Sequence, residues 1–451
     1  MVDWKKKKIR SKWSHMQIIA MGFLLIILIG ALLLMLPISS RDGSVTNFMD
    51  CLFTATSATC VTGLVVVDTY LHWSLFGQIV IITMIQIGGL GFMTVGVLFA
   101  VALHRKVTLR QRGILSESLN AIQPGDILGM VRKIFIGTLC VEGIGAVLLS
   151  IRFCQELGLA KGIYYGIFHS ISAFCNAGFD LMGYQGAYSS MVNYSADWLV
   201  TLTLVFLILT GGIGFLVWDD ISEKKWKFRR YRLHTKIVLM MTVVLVVGGT
   251  FLFYLFERNN LAAGMGPGET FLTCLFDAVT PRTAGFNTTD IAGLSDAGKL
   301  LSIILMFIGG NPGSTAGGVK TTTILIFLLY MWSSITKSRG ITIFRRRIDD
   351  DAIKRASSVA CTNMLLALTA MLIICGGQGL DLRDVALETV SAISTVGMST
   401  GITRDLNLVS RLAVMVLMFC GRVGSLSILV SFTEKKKASA VEYPEEKILI
   451  G

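Results

Sequence analysis

Four short segments of this chain carry the same chemical potential: Cys60-Val61-Thr62-Gly63-Leu64, Cys175-Asn176-Ala177-Gly178-Phe179, Arg282-Thr283-Ala284-Gly285-Phe286 and Ser394-Thr395-Val396-Gly397-Met398. Their glycines lie 115, 107 and 112 residues apart. A loop that turns successive carbonyl oxygens toward a dehydrated cation needs backbone angles that glycine reaches without a Cβ penalty. Gly63, Gly178, Gly285 and Gly397 fit that use, and the pairs Val61-Thr62, Asn176-Ala177, Thr283-Ala284 and Thr395-Val396 would supply further carbonyls. Glycine also serves helix packing, and the chain has 46 of them, but packing alone does not predict a near-constant period.

The similarity extends upstream into the elements that must hold these loops. Ten residues before each glycine stands a bulky apolar residue (Phe53, Phe168, Leu275, Leu387). Small or β-branched pairs follow, namely Ser57-Ala58, Ser172-Ala173, Val279-Thr280 and Ser391-Ala392. Each stretch is one short helix long, too short to cross a bilayer, and it ends in the glycine turn. Such a segment fits a re-entrant hairpin. Irregular backbone at membrane depth survives only where protein buries it or where it lines water. Four such loops from one chain can meet around one axis, with the helix C-terminal ends directed inward to favour a cation.

Composition sets the environment. Of 451 residues 53% are hydrophobic and 16% charged, too few polar groups to cover a water-soluble surface of this size. Met16 to Leu36, Trp73 to Leu103, Trp198 to Trp218, Ile237 to Phe256 and Ala356 to Cys375 contain no charged residue, and each is long enough to cross roughly 30 Å of hydrocarbon. Ile134 to Ser150 with Glu142, Leu301 to Tyr330 with Lys320, and Leu412 to Phe432 with Arg422 bring the expected total to eight spans. The net charge of +12 sits in short loops (Lys5 to Lys12, His104 to Arg112, Lys224 to Arg232, Lys337 to Arg347, Lys435 to Lys437), a pattern that speaks against nucleic acid and places both termini in the cytoplasm. The first apolar run is too long for a signal core and lacks a cleavage site, so it is expected to be retained. The nine cysteines show no Cys-x-x-Cys pair and read as small buried hydrophobes. The expected fold is an all-α integral membrane protein of four helix, re-entrant pore helix, helix repeats around one pore. Its units are residues 1–112, 113–232, 233–352 with a loop at 309–320, and 353–433, followed by a cytoplasmic tail at 434–451.

Glycine clusters recur past each filter segment, at Gly88-Gly89-Leu90-Gly91, Gly211-Gly212-Ile213-Gly214, Gly309-Gly310 and Gly421-Arg422-Val423-Gly424. In the first two repeats they read as sites of close helix packing. In the third, Gly310, Asn311, Pro312, Gly313, Ser314, Thr315, Ala316, Gly317, Gly318, Val319 and Lys320 cannot continue a regular helix. Unwound polar backbone at that depth is expected to be an intramembrane gate under the filter. Gly313 and Gly318 have the spacing of a phosphate-binding loop, but Val319 separates Gly318 from Lys320 and no strand precedes. Arg422, in an apolar run, is expected to oppose cation passage, to hold the gate loop, or to pair with Glu142 or backbone carbonyls.

With these residues in hand, the sequence resembles the Trk/Ktr/HKT superfamily of potassium transporters over essentially its whole length, and within it the bacterial KtrB-type uptake subunits. The degenerate filters, Arg282 to Phe286, Gly310 to Lys320, Gly421 to Gly424 and the terminal Glu446-Lys447-Ile448-Leu449-Ile450-Gly451 carry the likeness, and two extra N-terminal helices of Trk-type relatives are absent. The resemblance implies potassium uptake across a bacterial cytoplasmic membrane, a homodimer with one pore per subunit, and a cytosolic RCK ring that binds the nucleotide. This chain then carries potassium only as substrate, with no bound cofactor, and meets membrane lipid but no nucleic acid. Two other functional classes compete with this one. An enzyme lacks parts, because His15, His72, His104, His169 and His234 form no ligand spacing and no nucleophilic or paired-carboxylate constellation recurs. A carrier coupled to sodium or protons stays open, although coupled folds usually show inverted repeats and these four run the same way.

Overall fold

The computed structural model describes residues 14–102, 108, 111, 113–115, 127–225, 227–336, 340–425 and 446. The basic runs at 5–12 and 435–437, most of the run at 104–112, the far end of the last expected span and, apart from Glu446, the tail at 434–451 lie outside the described residues.

The described residues form helices and connecting loops, with one short hairpin pairing Thr342–Ile343 with Arg346–Arg347 and an isolated bridge between Ser40 and Trp73. Among the described residues four helices are long and apolar enough to cross a bilayer: α1 (His15–Leu34), α5 (Ile127–Leu157), α9 (Leu233–Glu257) and α13 (Asp350–Gln378). Between 28% and 33% of the apolar window of each is buried within the protein, so most of that surface needs a hydrocarbon solvent. Leu25, Val243, Phe251, Leu365 and Leu372 are among the exposed side chains.

Three of the remaining expected spans are interrupted, and in the first two glycine clusters a helix break accompanies the expected close packing. Trp73 to Leu103 divides into α3 (Leu75–Leu90) and α4 (Phe92–Ala102), bent by 95° at Gly91. Trp198 to Trp218 divides into α7 (Trp198–Ile213) and α8 (Phe215–Lys224), bent by 92° at Gly214. Both glycines hold positive φ, 80° and 103°, which ends an α-helix where they stand. Packing does operate one turn earlier. A Cβ on Gly88, Gly211 or Gly421 would overlap the carbonyl oxygen of Thr59, Phe174 or Ile393 respectively. The third interrupted stretch is α11 (Asp296–Ile308), a non-helical passage, and α12 (Thr321–Ile335).

Four short helices each precede one of the glycine segments: α2 (Phe48–Thr59), α6 (Leu159–Phe174), α10 (Pro267–Val279) and α14 (Leu382–Ser394). Side-chain acceptors start many of the elements: Asn47 caps α2, Asp197 α7, Ser295 α11, Asp381 α14 and Asn407 α15 (Leu408–Val423). The first and last of these elements meet. Arg411 on α15 pairs with Asp50 on α2 at 2.7 Å, across 361 residues.

Candidate functional site

Each short helix runs into one of the four glycine segments, and the backbone there repeats. Val61, Asn176, Thr283 and Thr395 have φ of 58°, 60°, 74° and 52°, and two residues later Gly63, Gly178, Gly285 and Gly397 have φ of 96°, 67°, 78° and 95°. Left-handed backbone is costly for a β-branched residue, and three of the four non-glycine positions are Val or Thr. That conformation persists because the loops are over-determined by their surroundings. Ser57 Oγ accepts from Gly63 N at 3.1 Å, Ser391 Oγ accepts from Gly397 N at 3.0 Å, and Ser172 Oγ donates to Phe179 O at 2.7 Å. The backbone N–H groups of Thr62, Ala177 and Val396 donate to the carbonyls of Ser57, Ser172 and Ser391, each at 2.8 Å.

The third loop departs from this register. Its hydroxyl anchor is Thr280, which donates to Phe286 O, and Ala284 N donates to Thr280 O at 2.9 Å. Thr280 stands five residues before its glycine, whereas the three serines stand six before theirs. One residue is therefore missing between anchor and glycine. Alignment by the anchors pairs Phe53, Phe168, Phe276 and Leu387, all within 1% of full burial. Leu275, matched by counting from the glycine, is only half-buried.

The loops touch in cyclic chain order. A Cβ on Gly63 would stand 2.5 Å from Ala177 O, and one on Gly178 2.8 Å from Ala284 O. On Gly285 and Gly397 it would overlap Val396 O and Thr62 O. The Asn176 amide meets Thr283 Oγ1 at 3.2 Å, binding the second loop to the third. All four glycines line one cavity of about 160 Å³, whose wall also includes Asp68, Asp180, Asp290, Ser399 and Thr403. On the helix side of the glycines, the buried hydroxyls of Thr59, Thr62, Ser394 and Thr395 have no hydrogen-bond partner among the described residues.

Below the loops lies the passage from Gly309 to Lys320. Asn311 Nδ2 donates to Gly212 O at 2.8 Å, Phe215 N to Gly313 O at 2.7 Å, Thr315 Oγ1 to Phe174 O at 3.1 Å, and Gly318 N to Gly421 O at 3.3 Å. The bend at Gly214 leaves room for it, since a Cβ there would come 2.7 Å from Pro312 O. Gly317 and Gly318 press on the fourth loop: a Cβ on the first would overlap Thr395 Oγ1, and on the second would sit 2.8 Å from Ser394 Cα. Ser314 Oγ donates to Asn311 O at 2.7 Å, and Thr321 N closes the base on Gly310 O at 2.9 Å. Lys320 folds back to donate to Ala316 O and Gly317 O at 2.7 and 3.1 Å.

Arg422 joins this passage to the first bent pair. Its guanidinium donates to Thr315 O, Gly88 O and, at 2.9 Å, Gly89 O. Of the partners expected for it, the backbone carbonyls are the ones present. Glu142 is held instead by Gln86 Nε2, at 3.0 and 3.2 Å, a partner that hydropathy reading of α3 does not single out.

The whole chain has relatives. The family model TrkH, described as a cation transport protein, matches residues 3–443. The chain is 39% identical to the potassium/sodium uptake protein NtpJ of Enterococcus hirae, with 99% of each covered. It is 37% identical to the Ktr system potassium uptake protein B of Bacillus subtilis, with 98% of each covered. The solved potassium transporter TrkH of Vibrio parahaemolyticus superposes with a TM-score of 0.74 at 18% identity, covering 95% of this chain and 86% of that one, a likeness of fold. The chain belongs to the TrkH family of cation transport proteins, a family of transporters rather than enzymes.

Proposed function

We propose that this chain takes up potassium through a filter of backbone carbonyls, four repeats forming one pore. The observation that carries the reading is the cyclic contact of Gly63, Gly178, Gly285 and Gly397 around a single cavity. Alternating left- and right-handed residues can present successive carbonyls to one side, and oxygens so placed replace the hydration shell of a cation. Val61, Thr62, Asn176, Ala177, Thr283, Ala284, Thr395 and Val396 supply those oxygens with the glycines. The unpartnered hydroxyls of Thr62 and Thr395 add polar surface below them. The acidic cavity faces the outside and the basic loops face the cytoplasm of a bacterial cell, consistent with the distribution of Lys and Arg.

Gly310, Pro312, Gly313, Ser314, Thr315, Gly317, Gly318 and Lys320 form the gate, with Arg422 as the cation that holds it in the path. The position of this loop against Thr395 and Phe174 supports that reading. Regulation comes from outside the chain, through a nucleotide-binding RCK ring under a homodimer. The naming of the Bacillus subtilis relative as protein B of a system supports a partner subunit. A second reading, a carrier coupled to sodium, is favoured by the naming of sodium beside potassium for the Enterococcus hirae relative.

Purified protein in liposomes separates the two. The filter reading expects potassium flux down its own gradient with no sodium or proton gradient present, and slower flux when sodium replaces potassium. Equal rates for the two ions defeat the filter assignment, and flux only when a sodium gradient is imposed defeats the passive pore in favour of the carrier.

A further inference from the structure

Three of the four short helices hide a titratable side chain at one and the same position. Three residues before the hydroxyl anchors stand Thr54, His169, Asp277 and Glu388, 1%, 0%, 5% and 0% exposed. On a helix, residues three apart share a face, so each lies behind the loop that its own anchor holds. The last three reach forward to the chain leaving the filter. Leu181 N donates to His169 Nε2 at 3.1 Å, Thr289 Oγ1 to Asp277 Oδ1 at 3.1 Å, and Thr403 Oγ1 to Glu388 Oε1 at 2.5 Å. His169 is set as an acceptor, because its Nδ1 faces Tyr165 O at 2.7 Å and so carries the proton. In the first helix Thr54 Oγ1 turns back to Asp50 O at 2.8 Å on its own helix and makes no such link. Burying an acid or an imidazole is costly where an apolar residue would fill the space, and here one acceptor atom of each side chain meets a donor from the chain leaving its loop, while Glu388 Oε2 has no partner among the described residues.

We infer that His169, Asp277 and Glu388 are positioning residues of the filter. They fix the outgoing legs of the second, third and fourth loops, and so limit how far the carbonyl ring can close around a smaller ion. Rejection of sodium by such a ring depends on how well its oxygens hold their places, through cavity size or through the field of dipoles in a flexible site. A tether behind the loop acts on either.

The inference rests on the carbonyl-filter reading, and its test is the ratio of potassium to sodium flux per folded subunit in liposomes. Thr289→Val and Thr403→Val remove the donors with little change of shape. Each is expected to lower the ratio about tenfold, the equivalent of one hydrogen bond. Asp277→Asn and Glu388→Gln keep an acceptor oxygen and are expected to stay near the wild-type ratio. Asp277→Ala combined with Thr289→Val is expected to be no worse than Thr289→Val alone. An unchanged ratio in both valine variants overturns the inference, as does an additive loss in the double variant. Gly63→Ser distinguishes the two levels. If it leaves the ratio unchanged, the filter reading falls. If it lowers the ratio while the valine variants do not, the tethers alone are excluded.

Discussion

Two stretches of irregular backbone occupy the centre of this molecule, and they are held in opposite ways. The glycine loops are wired mainly locally: apart from the Asn176–Thr283 contact between two of them, their anchoring bonds run four to seven residues back to the short helix that delivers each one. The passage from Gly309 to Lys320 is wired at long range, to Gly212 across 99 residues, to Phe174 across 141 and to Arg422 across 107. A loop fixed by its own helix keeps its shape when neighbours shift. A loop fixed by neighbours changes when they do. On the proposed reading, the difference would let one chain hold selectivity constant while conduction varies, since the two properties would depend on hydrogen bonds that do not overlap.

The largest expected effect breaks the local side. Gly397→Ala places a Cβ on Thr62 O at a residue with φ of 95°. Left-handed backbone alone costs about 1–2 kcal/mol for a residue with a Cβ, so the preference for potassium should fall tenfold or more. Ion-competition assays of uptake read this, and an unaltered preference would show that the ring tolerates more freedom than its contacts imply.

Deletion of Gly313 to Gly317 attacks the other side. It removes the bonds to Phe215, Gly211, Phe174 and Arg422 together. Flux should rise several-fold and become independent of any cytosolic partner, while the potassium preference is kept. Unchanged transport in a deletion protein that still folds would end the gate assignment, and a lost preference would mean that the two regions are not separable.

Arg422→Gln is the smallest change and the sharpest. The guanidinium donates to Thr315 O and to Gly88 O and Gly89 O, so the charge and the latch reside in one side chain. A unit charge 4 Å from a passing cation opposes it by about 4 kcal/mol at an effective dielectric constant near 20. Flux per folded subunit should therefore increase in the variant, by less than in the loop deletion. Equal or lower flux leaves Arg422 as a structural cation.

Much of this arrangement is legible in the residues. The glycine period, the short helix before each glycine and the helix-breaking composition of Gly309 to Lys320 all leave local marks. What escapes has a physical reason in each case. Spacing carries no sign of φ, so left-handed Val61, Thr283 and Thr395 are invisible, all the more because β-branched residues avoid that region. Counting back from Gly285 conceals the missing residue, since Val279-Thr280 still reads as a plausible pair, and only the bond from Thr280 to Phe286 exposes it. The bends at Gly91 and Gly214 hide inside uniformly apolar runs, where hydropathy is blind to direction. The links from His169, Asp277 and Glu388 join residues 12 to 15 apart across a turn, a distance no helical or strand period marks.

The shortened third loop has a consequence for how such a site changes over generations. In a ring built from four copies of one short chain, a deleted residue alters every quarter at once, and a substitution costing 1.4 kcal/mol in one copy acts four times, a factor of about 10,000 rather than ten. Here each quarter is spelled by its own stretch of gene. Thr280 can stand where the others have serine, and the third loop can lose a residue, while the remaining three keep their register. Variation is sampled one quarter at a time, at a fourth-root penalty.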